Sequence, residues 1–413
     1  MRRISFSILA LTFCVSSVVA ADVSNTWPQW RGPTRDGQFV GPKWPDSLDG
    51  LKQSWRAEIG PGYSGPIVSE NRVFTVETEA GEKEVVRAFD RASGKQLWRS
   101  DWEGSMKVPF YARGNGSWTR STPAFYGDRL YVGGMQDVLV CLDAKSGAEV
   151  WRADLAERHQ RPIPQFGFVC SPLLVGDALY VLAADAVLKI DKHTGKTVWR
   201  VFQEAKPGKS LSAFSSPIVA NLHGREQLVA QTRKSLAGFD LADGKTLWSA
   251  PIKSSHDQNV LTPVVYENGV FMSSYGGRSQ YLSVTKAGEA WAVEKLWDNK
   301  LQGYMSSPVI VGGHAYLHLR NNRLACADLK SGEIGWTTSE KFTNYASLVA
   351  NRDRILALDS EGTLHLIAAD PKEFRRLAER EIADAETWAH LAVVGNEVFI
   401  REQQAITAFV WRP

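Results

Sequence analysis

Short stretches of alternating apolar and polar residues, separated by turns rich in Gly, Asp and Asn, run through most of this 413-residue chain. One such stretch covers Leu173–Val175, turns at Gly176 and Asp177, and continues through Leu179–Ala183. Period-two alternation bounded by such turns is typical of β-hairpins. A third strand and a Ser/Thr-Gly-Lys turn into a Trp-containing strand follow, so the pattern predicts units of four short antiparallel strands.

An eleven-residue motif closes five of these units, and a weaker copy closes a sixth. It runs from Ala88 to Trp98 and again from Cys141 to Trp151, with Asp, Gly and Trp at the same internal positions. Further copies end at Trp199, Trp248 and Trp336, and a weaker copy from Ser283 to Trp291 lacks the Asp. The Gly supplies the positive φ that a tight hairpin turn requires, and the Asp side chain can cap the N–H groups of the turn.

A small residue followed by Pro precedes most units. The prolines are Pro66, Pro123, Pro172, Pro217, Pro263 and Pro308, separated by 45 to 57 residues. Two more units without this Pro begin near Ser347 and His390. Four-stranded units at this period are typical of propeller blades, so the sequence predicts an all-β, eight-bladed propeller over residues 51–413.

The two ends of the repeat region predict how the ring closes. The chain finishes in a strand, Ala405–Trp411, with no Trp strand after it, whereas Leu51–Arg56 resembles an unpaired fourth strand. We therefore expect the N-terminal strand to complete blade eight and to cover its open edge. The stretch from Asp370 to Trp388 has local helical character, but the period assigns Arg375–Ile382 to the outer strand of blade seven.

The chain contains 15 Trp residues, and those in the repeat predict how the blades pack. Each indole can lay its apolar face on the next blade while its N–H reaches a backbone carbonyl. The predicted docking residues are Trp55, Trp98, Trp151, Trp199, Trp248 and Trp336.

The first 20 residues have the pattern of a secretory signal. Arg2 and Arg3 precede an apolar run over residues 6–19, and small residues precede a cleavage site before Ala21. The sequence therefore predicts export to the periplasm or the outside of the cell, with an N-terminal extension over residues 21–50. Cys14 lies inside the apolar run, which is not the usual position of a lipidated Cys. This run is too short to span a bilayer, and no other apolar stretch is long enough to do so.

Composition narrows the choice of partner. The formal net charge is +3, and the basic residues are interspersed with acidic ones, so the sequence does not favour nucleic-acid binding. Cys141, Cys170 and Cys326 show no close spacing and are expected to be buried thiols rather than a disulfide framework. We expect a monomer without stable membrane insertion.

The repeat resembles the tryptophan-docking motif of pyrroloquinoline quinone (PQQ) repeat propellers, and the segment from Trp27 to Pro33 resembles the start of members of that superfamily. The superfamily includes quinoprotein alcohol dehydrogenases and the propeller lipoprotein of outer-membrane protein assembly. The dehydrogenase resemblance implies PQQ with a calcium ion, an Asp base and, in many members, a disulfide between adjacent Cys residues. This sequence has neither a Cys-Cys pair nor a Cys-x-x-Cys-His haem motif. We therefore expect no cofactor, with PQQ and calcium as the alternative.

Aromatic residues gather in the loops that precede the innermost strands, and these loops meet at one mouth of a propeller channel. Together with nearby donors they predict an aromatic funnel for a protein segment or a small ligand. The alternative is that these rings pack the neck of the channel. The predicted mouth residues are Tyr63, Arg113, Trp118, Arg120, Phe168, Phe214, His256, Tyr304, Tyr345 and Trp388.

No catalytic triad, phosphate loop or metal-ligand spacing stands out in the sequence. The main expectation is therefore an exported, non-catalytic binding or scaffold propeller, whose partner sits at the aromatic mouth or adds a strand along a blade edge. Two alternatives remain open: a PQQ- and calcium-dependent dehydrogenase that oxidises an alcohol or sugar, and an outer-membrane protein assembly factor.

Overall fold

A computed structural model describes residues 25–202 and 213–412, and the predicted signal segment lies outside these residues. In the described part of the chain the strands form eight four-stranded antiparallel sheets. The predicted fold class, an eight-bladed all-β propeller closed by an N-terminal strand, is confirmed. Inner strands are buried and outer strands face solvent, which is the pattern expected when sheets stack around a ring.

The first strand, β1, covers Leu51–Glu58, and the blades follow it along the chain. The strands of each blade are given from the channel outwards. Blade one contains β2 (Ile67–Val68), β3 (Arg72–Glu79), β4 (Lys83–Asp90) and β5 (Gln96–Glu103), and blade two contains β6 (Ala124–Tyr126), β7 (Arg129–Gly134), β8 (Val138–Asp143) and β9 (Glu149–Asp154). Blade three contains β10 (Leu173–Val175), β11 (Ala178–Ala183), β12 (Ala186–Asp191) and β13 (Thr197–Val201), and blade four contains β14 (Ile218–Leu222), β15 (Arg225–Gln231), β16 (Ser235–Asp240) and β17 (Thr246–Pro251).

The remaining blades follow the same order. Blade five contains β18 (Val264–Tyr266), β19 (Gly269–Met272), β20 (Ser279–Ala287) and β21 (Ala290–Asn299), and blade six contains β22 (Val309–Val311), β23 (His314–His318), β24 (Leu324–Asp328) and β25 (Ile334–Thr337). Blade seven contains β26 (Ala346–Asn351), β27 (Arg354–Asp359), β28 (Thr363–Ala368) and β29 (Arg375–Glu381). Blade eight contains β30 (Ala392–Val394), β31 (Glu397–Arg401) and β32 (Ala405–Trp411), with β1 as its outer strand. Short helices lie in the loops at Phe110–Asn115, Leu155–Arg158 (α1) and Ser255–Asp257.

Strand β1 closes the ring, as the sequence predicted. It pairs antiparallel with β32, from Leu51 opposite Trp411 to Glu58 opposite Ala405. The prediction for blade seven is also confirmed, since β29 is a strand paired with β28 and not a helix. There the ladder to a buried inner strand outweighs the local helix propensity of the Ala, Glu and Arg residues.

The repeat motif produces one recurring contact between neighbouring blades. In blade one, Trp98 donates its Nε1–H to the carbonyl of Ala144 in blade two at 3.1 Å. Its ring lies over Gly147, where an added Cβ would come within 2.6 Å of the indole. Gly147 also has a φ of 76°. The same ring-over-Gly packing joins Trp55 to Gly94, Trp151 to Gly195, Trp199 to Gly244 and Trp297 to Gly332.

Blade five departs from the predicted pattern. The hairpin of β20 and β21 is longer than in the other blades, so Trp297, and not Trp291, reaches the next blade, where it donates to the carbonyl of Leu329 at 2.9 Å. Trp248 in blade four was predicted to dock on blade five. Its Nε1–H instead bonds to Gln227 Oε1 within its own blade at 2.8 Å. The turn at Gly288 that it was expected to meet has no atom near its Cβ position.

Trp336 docks on blade seven without a Gly partner. It donates to the carbonyl of Asp370 at 2.8 Å and packs edge-on against Phe374. Asp370 begins the segment that replaces the usual Ser/Thr-Gly-Lys turn in this blade. The contact therefore keeps the indole-to-carbonyl bond although the turn beneath it has changed.

The three described Cys residues are buried and unpaired by disulfides, as predicted. Burial raises the pKa of each thiol to about 12. Cys141 and Cys326 occupy equivalent positions in the third strands of their blades. They therefore act as small apolar core residues.

The ring-over-Gly contact predicts the effect of two matched substitutions. Gly147→Ala places a Cβ against Trp98, whereas Gly127→Ala, also at a positive φ, meets no atom within 4 Å. We expect Gly127→Ala to lower the free energy of unfolding by about 1 kcal/mol through backbone strain alone. Gly147→Ala should lose roughly 1–3 kcal/mol more through overpacking. Urea unfolding checks this, and equal losses for the two variants would contradict it.

Candidate functional site

A cavity of about 360 Å³ lies at the channel mouth, where the loops before the innermost strands meet. Its lining is mostly apolar, with eight aromatic rings and a few hydroxyl, amide and guanidinium groups. The lining residues are Trp30, Tyr63, Tyr111, Ala112, Arg120, Phe166, Val169, Ser171, Phe214, Ser216, Gln258, Val260, Thr262, Tyr304, Met305, Tyr345 and Trp388.

The floor of the cavity comes from the N-terminal extension. Residues 27–39, the channel plug, enter the channel from the face opposite the mouth. Trp27 exchanges two backbone hydrogen bonds with Val68, the last residue of β2, and Phe39 donates to the carbonyl of Ala350 near the end of β26. The innermost strands start at the mouth, so both ends of the plug lie at the far side of the ring.

Trp30 lies near the tip of the plug and forms part of the cavity floor. Its Nε1–H donates to Thr262 Oγ1 at 2.9 Å. Its ring also packs edge-on against the buried His390, with ring centroids 5.2 Å apart. Burial lowers the pKa of His390 to about 3, so this imidazole is neutral beside the indole.

Two buried arginines hold the plug in place. Arg35 donates to the carbonyls of Ser171 and Pro172 in blade three at 2.9 and 2.8 Å. Arg31 bonds to the carbonyl of Pro308 in blade six and to that of Asp36 within the plug. Desolvation lowers the pKa of Arg31 to about 10 and that of Arg35 to about 9, and both guanidinium groups remain charged at neutral pH.

One wall of the cavity is a group of stacked rings. Tyr345 stacks on Trp388 with ring centroids 5.7 Å apart, and Trp388 meets Tyr63 edge-on at 6.3 Å. Trp118 packs behind Tyr63 at 5.5 Å. Burial raises the pKa of Tyr63 to about 12, so its phenol stays protonated. Close aromatic packing of this kind makes the wall rigid as well as apolar.

Arg120 joins this wall to the next group of rings. Its guanidinium carbon lies 5.4 Å from the Tyr63 ring centroid and 5.9 Å from that of Phe166. It also donates to the carbonyls of Trp118 and Gly116 at 2.8 and 3.2 Å. Arg120 therefore fixes the loop before blade two while presenting a cation between two aromatic faces.

Two more arginines lie on aromatic rings at or behind the rim. Arg233 lies 4.6 Å from the centroid of the lining residue Phe214. Arg320 lies 4.7 Å from Tyr275, whose ring packs 4.5 Å from Tyr304. Across the cavity, the Trp388 indole donates to the exposed carboxylate of Glu386 at 3.0 Å.

The structure brings six of the ten predicted mouth residues onto the cavity wall. They are Tyr63, Arg120, Phe214, Tyr304, Tyr345 and Trp388. Trp118 lies one layer behind the wall, in contact with Tyr63. Whether these residues bind a ligand stays a prediction.

Three predicted mouth residues lie elsewhere. Phe168 is 1% exposed and packs in the core with blades two and three, because its ring turns inward beneath Gly133. Arg113 is exposed on the short helix Phe110–Asn115, and His256 is exposed on the turn Ser255–Asp257, where it bonds to Ser255 Oγ. Both belong to the surface around the mouth and not to its wall.

Sequence reasoning missed Trp30, Tyr111 and Phe166. Phe166 and Phe168 lie two residues apart in one loop, and only the fold shows that Phe166 faces the cavity. The Trp-rich opening from Trp27 to Pro33 stands out as a motif, but its position before the first blade gives no sign that it enters the channel. That motif was the one signal that could have indicated Trp30.

The residues at the mouth do not form a ligand set for the calcium ion that accompanies PQQ. The cavity lining contains no carboxylate. Within residues 25–202 and 213–412, no three His, Cys, Asp or Glu side chains converge in a way that could hold a metal ion. Calcium prefers six to eight oxygen ligands with several carboxylates among them, so the described residues do not fit this group.

No helix in the described part of the chain has the length and apolar character needed to cross a bilayer.

Together, the tryptophan-docked blades and the mouth define a propeller of the PQQ-repeat class. Residues 82–338 match the model of the family described as outer membrane protein assembly factor BamB, and the chain belongs to this family.

The chain is also similar to individual proteins of two kinds. The chain is 25% identical to the outer membrane protein assembly factor BamB of Moranella endobia over 80% of its own length and 83% of the relative's. It is 28% identical to the quinohemoprotein alcohol dehydrogenase ADH IIB of Pseudomonas putida, over 40% of this chain and 23% of that one. The crystal structure of BamB from Moraxella catarrhalis superposes with a TM-score of 0.63 at 14% identity, covering 88% of this chain and 98% of that one.

Beneath the mouth, a buried carboxylate links blades one and two. Glu84 accepts hydrogen bonds from the backbone N–H of Met135 at 2.8 Å and from Trp102 Nε1 at 3.0 Å. Burial raises its pKa from 4.5 to about 7. Asp137, which accepts from the N–H of Ala184 in blade three, is shifted in the same direction, also to about 7.

These shifts predict a pH dependence of stability. Because folding raises the pKa of Glu84, the folded chain binds this proton more tightly than the unfolded chain does. The free energy of unfolding should therefore fall as pH rises from about 4.5 to 7. Glu84→Gln should remove roughly 3 kcal/mol of that fall. Urea unfolding at several pH values measures it, with exposed Glu82→Gln as the control; an unchanged slope in Glu84→Gln would contradict the prediction.

Proposed function

We propose that this chain is a non-catalytic, BamB-like scaffold that works in the periplasm during outer-membrane protein assembly and holds a protein segment at its channel mouth. The observation that carries the proposal is the aromatic cavity above the channel plug. The plug turns an open channel into a blind pocket. Such a pocket suits side chains of a bound segment better than passage of a molecule through the ring.

The size and chemistry of the cavity support a peptide side chain as its occupant. A volume of about 360 Å³ is at the small end of the range for ligand pockets. Burying one large apolar side chain contributes roughly 1.5–3 kcal/mol. A single anchor of this strength gives weak binding, so we expect further contacts from the rim or from a blade edge.

The polar groups on the wall are engaged in holding the fold. Ser171 Oγ accepts from the N–H of Thr122 at 3.0 Å, and Ser216 Oγ accepts from the N–H of Ser171 at 2.9 Å. Thr262 Oγ1 accepts from Trp30. The two Ser hydroxyls link neighbouring blades and the Thr hydroxyl links a blade to the channel plug, and none is paired with a His or carboxylate base on the cavity wall. This arrangement supports binding over nucleophilic catalysis.

The second candidate is a PQQ-dependent dehydrogenase. The observation in its favour is the similarity to the Pseudomonas putida alcohol dehydrogenase, which covers 40% of this chain. The lack of a carboxylate in the cavity lining weighs against it.

Site-specific photo-crosslinking tests the scaffold proposal. Phe166 in the cavity wall is replaced by p-benzoylphenylalanine in the full-length chain, expressed in a bacterium with an outer membrane. Val150, which is 44% exposed on outer strand β9, carries the same group as the matched control. We expect adducts between position 166 and an outer-membrane barrel protein or its assembly machinery, identified by mass spectrometry. Equal adducts from position 150, or none from position 166, would contradict the proposal.

A second measurement separates the two candidate functions. PQQ and calcium are added to the purified protein, and quinone absorption and dye-linked alcohol oxidation are recorded. The scaffold proposal expects neither saturable cofactor binding nor turnover. Both together would replace it with the dehydrogenase.

A further inference from the structure

Basic and acidic residues lie on different sides of the channel mouth. Two kinds of segment open on this face: the loops before the innermost strands, and the turns between the second and third strands of each blade. From the loop between blades one and two, round to the turn between the second and third strands of blade six, the described residues are mainly basic. The cations are Lys107, Arg113, Arg120, Arg161, Arg233, Lys234, Lys253, Arg278 (paired with Asp298 at the end of β21), Lys300, Arg320 and Arg323, and the carboxylates in the same loops and turns are Asp137, Glu157, Asp185 and Asp257.

The rest of the mouth face has the opposite character. It is formed by the loops and turns of blades seven, eight and one. Its described exposed carboxylates are Glu82, Glu340, Glu361, Asp384 and Glu386, and its cation is Lys341; Glu402 in the same turns is buried and paired with Arg56. We call the first set the basic half of the mouth and the second set the acidic half.

The aromatic cavity lies between the two halves. On the basic side, Arg120 and Arg233 lie over the lining rings of Phe166 and Phe214. On the acidic side, Glu386 accepts the hydrogen bond of Trp388. A segment with one side chain in the cavity would therefore run from one electrostatic environment into the other.

Exposed apolar surface continues from the cavity only over the basic half of the described mouth. Phe110 is 79% exposed and Tyr111 is 65% exposed, and their rings pack against each other with centroids 5.7 Å apart. Tyr111 also packs against Phe166 in the cavity wall at 6.5 Å. Ile163, in the neighbouring loop, is 46% exposed. Large apolar side chains exposed together in this way are typical of interaction surfaces.

We infer that the mouth binds a protein segment in which an aromatic or large aliphatic side chain enters the cavity and acidic residues beside it lie over the basic half. This inference rests on the proposed function and names the class of segment that the scaffold recognises. Charge complementarity and the exposed rings on the same side carry it. The acidic half disfavours the reverse orientation, because it would place like charges together.

The size of the expected charge effect on binding follows from the solvent exposure of the charged side chains. Solvent-exposed ion pairs contribute about 0.2–1 kcal/mol each and are screened by salt. Binding of an acidic segment should therefore weaken as the salt concentration rises, whereas the contribution of the buried apolar side chain should persist.

Three labelled peptides provide the test, used with the full chain. The reference peptide is Gly-Ser-Phe-Ser-Asp-Glu-Asp; in the second, Ser replaces Phe, and in the third, Lys replaces the three acidic residues. Binding is followed by fluorescence anisotropy at low and physiological salt. We expect the reference peptide to bind at least fivefold more tightly than either of the others. Equal binding of the acidic and basic peptides would overturn the inference.

Charge reversal on the protein locates the effect. Arg113→Glu and Arg320→Glu change exposed cations of the basic half, and Lys341→Glu makes the same change in the acidic half. The first two should each weaken the reference peptide about threefold to fivefold, and Lys341→Glu should leave it within twofold. Thermal unfolding of each variant verifies the fold. A loss of equal size in all three variants would overturn the inference.

The outcomes distinguish this inference from the proposed function. If position 166 crosslinks to an outer-membrane barrel protein but the peptides show no charge preference, the inference fails and the scaffold proposal stands. If the acidic peptide binds as expected but no such adduct forms, the scaffold proposal fails. Binding to phosphatidylglycerol vesicles that is lost in Arg113→Glu, without peptide binding, would assign the basic half to a membrane surface and overturn the inference.

Discussion

The packing of an indole on the glycine of the next blade's turn is the contact on which this ring depends. A four-stranded blade cannot bury both of its faces alone, and its neighbours must be held at a fixed distance and angle. Trp98 on Gly147 meets both needs, since the flat ring removes apolar surface from water and its N–H satisfies a carbonyl of the next blade. Gly147 is required there for two reasons: its φ is positive, and it has no Cβ to clash with the indole.

Where this contact is missing, other groups hold the seam. The outer strand of blade seven has no Trp, and the N-terminal segment fills the space between blades seven and eight. Trp44 stacks between Phe39 and Trp411, with ring centroids 5.8 and 6.0 Å apart. Arg380 of β29 donates to the backbone carbonyls of Leu48 and Leu51. The same segment that seals the channel therefore also completes the ring.

The channel plug has a direct consequence for function. Without it, the loops before the innermost strands would surround an opening through the ring; with it, they surround a blind cavity whose floor includes Trp30. Arg31 and Arg35 anchor the plug to blades six and three through backbone carbonyls, which are present whatever side chains the blades carry. The cavity is thus built from two distant parts of the chain, and its shape depends on both.

The sequence by itself determined the number of blades, their strand order and the closure by β1, because these follow from local alternation and from a motif repeated at a regular period. It also indicated five of the eight aromatic rings of the cavity, since every loop before an innermost strand must reach the same mouth. It could not show that Phe166 faces the cavity while Phe168 packs in the core, or that Trp297 replaces Trp291 at the docking position. Nor could it place residues 27–39 inside the channel. Those features were decided by the tertiary structure, because they depend on contacts between residues far apart in sequence, for which the repeat leaves no local pattern.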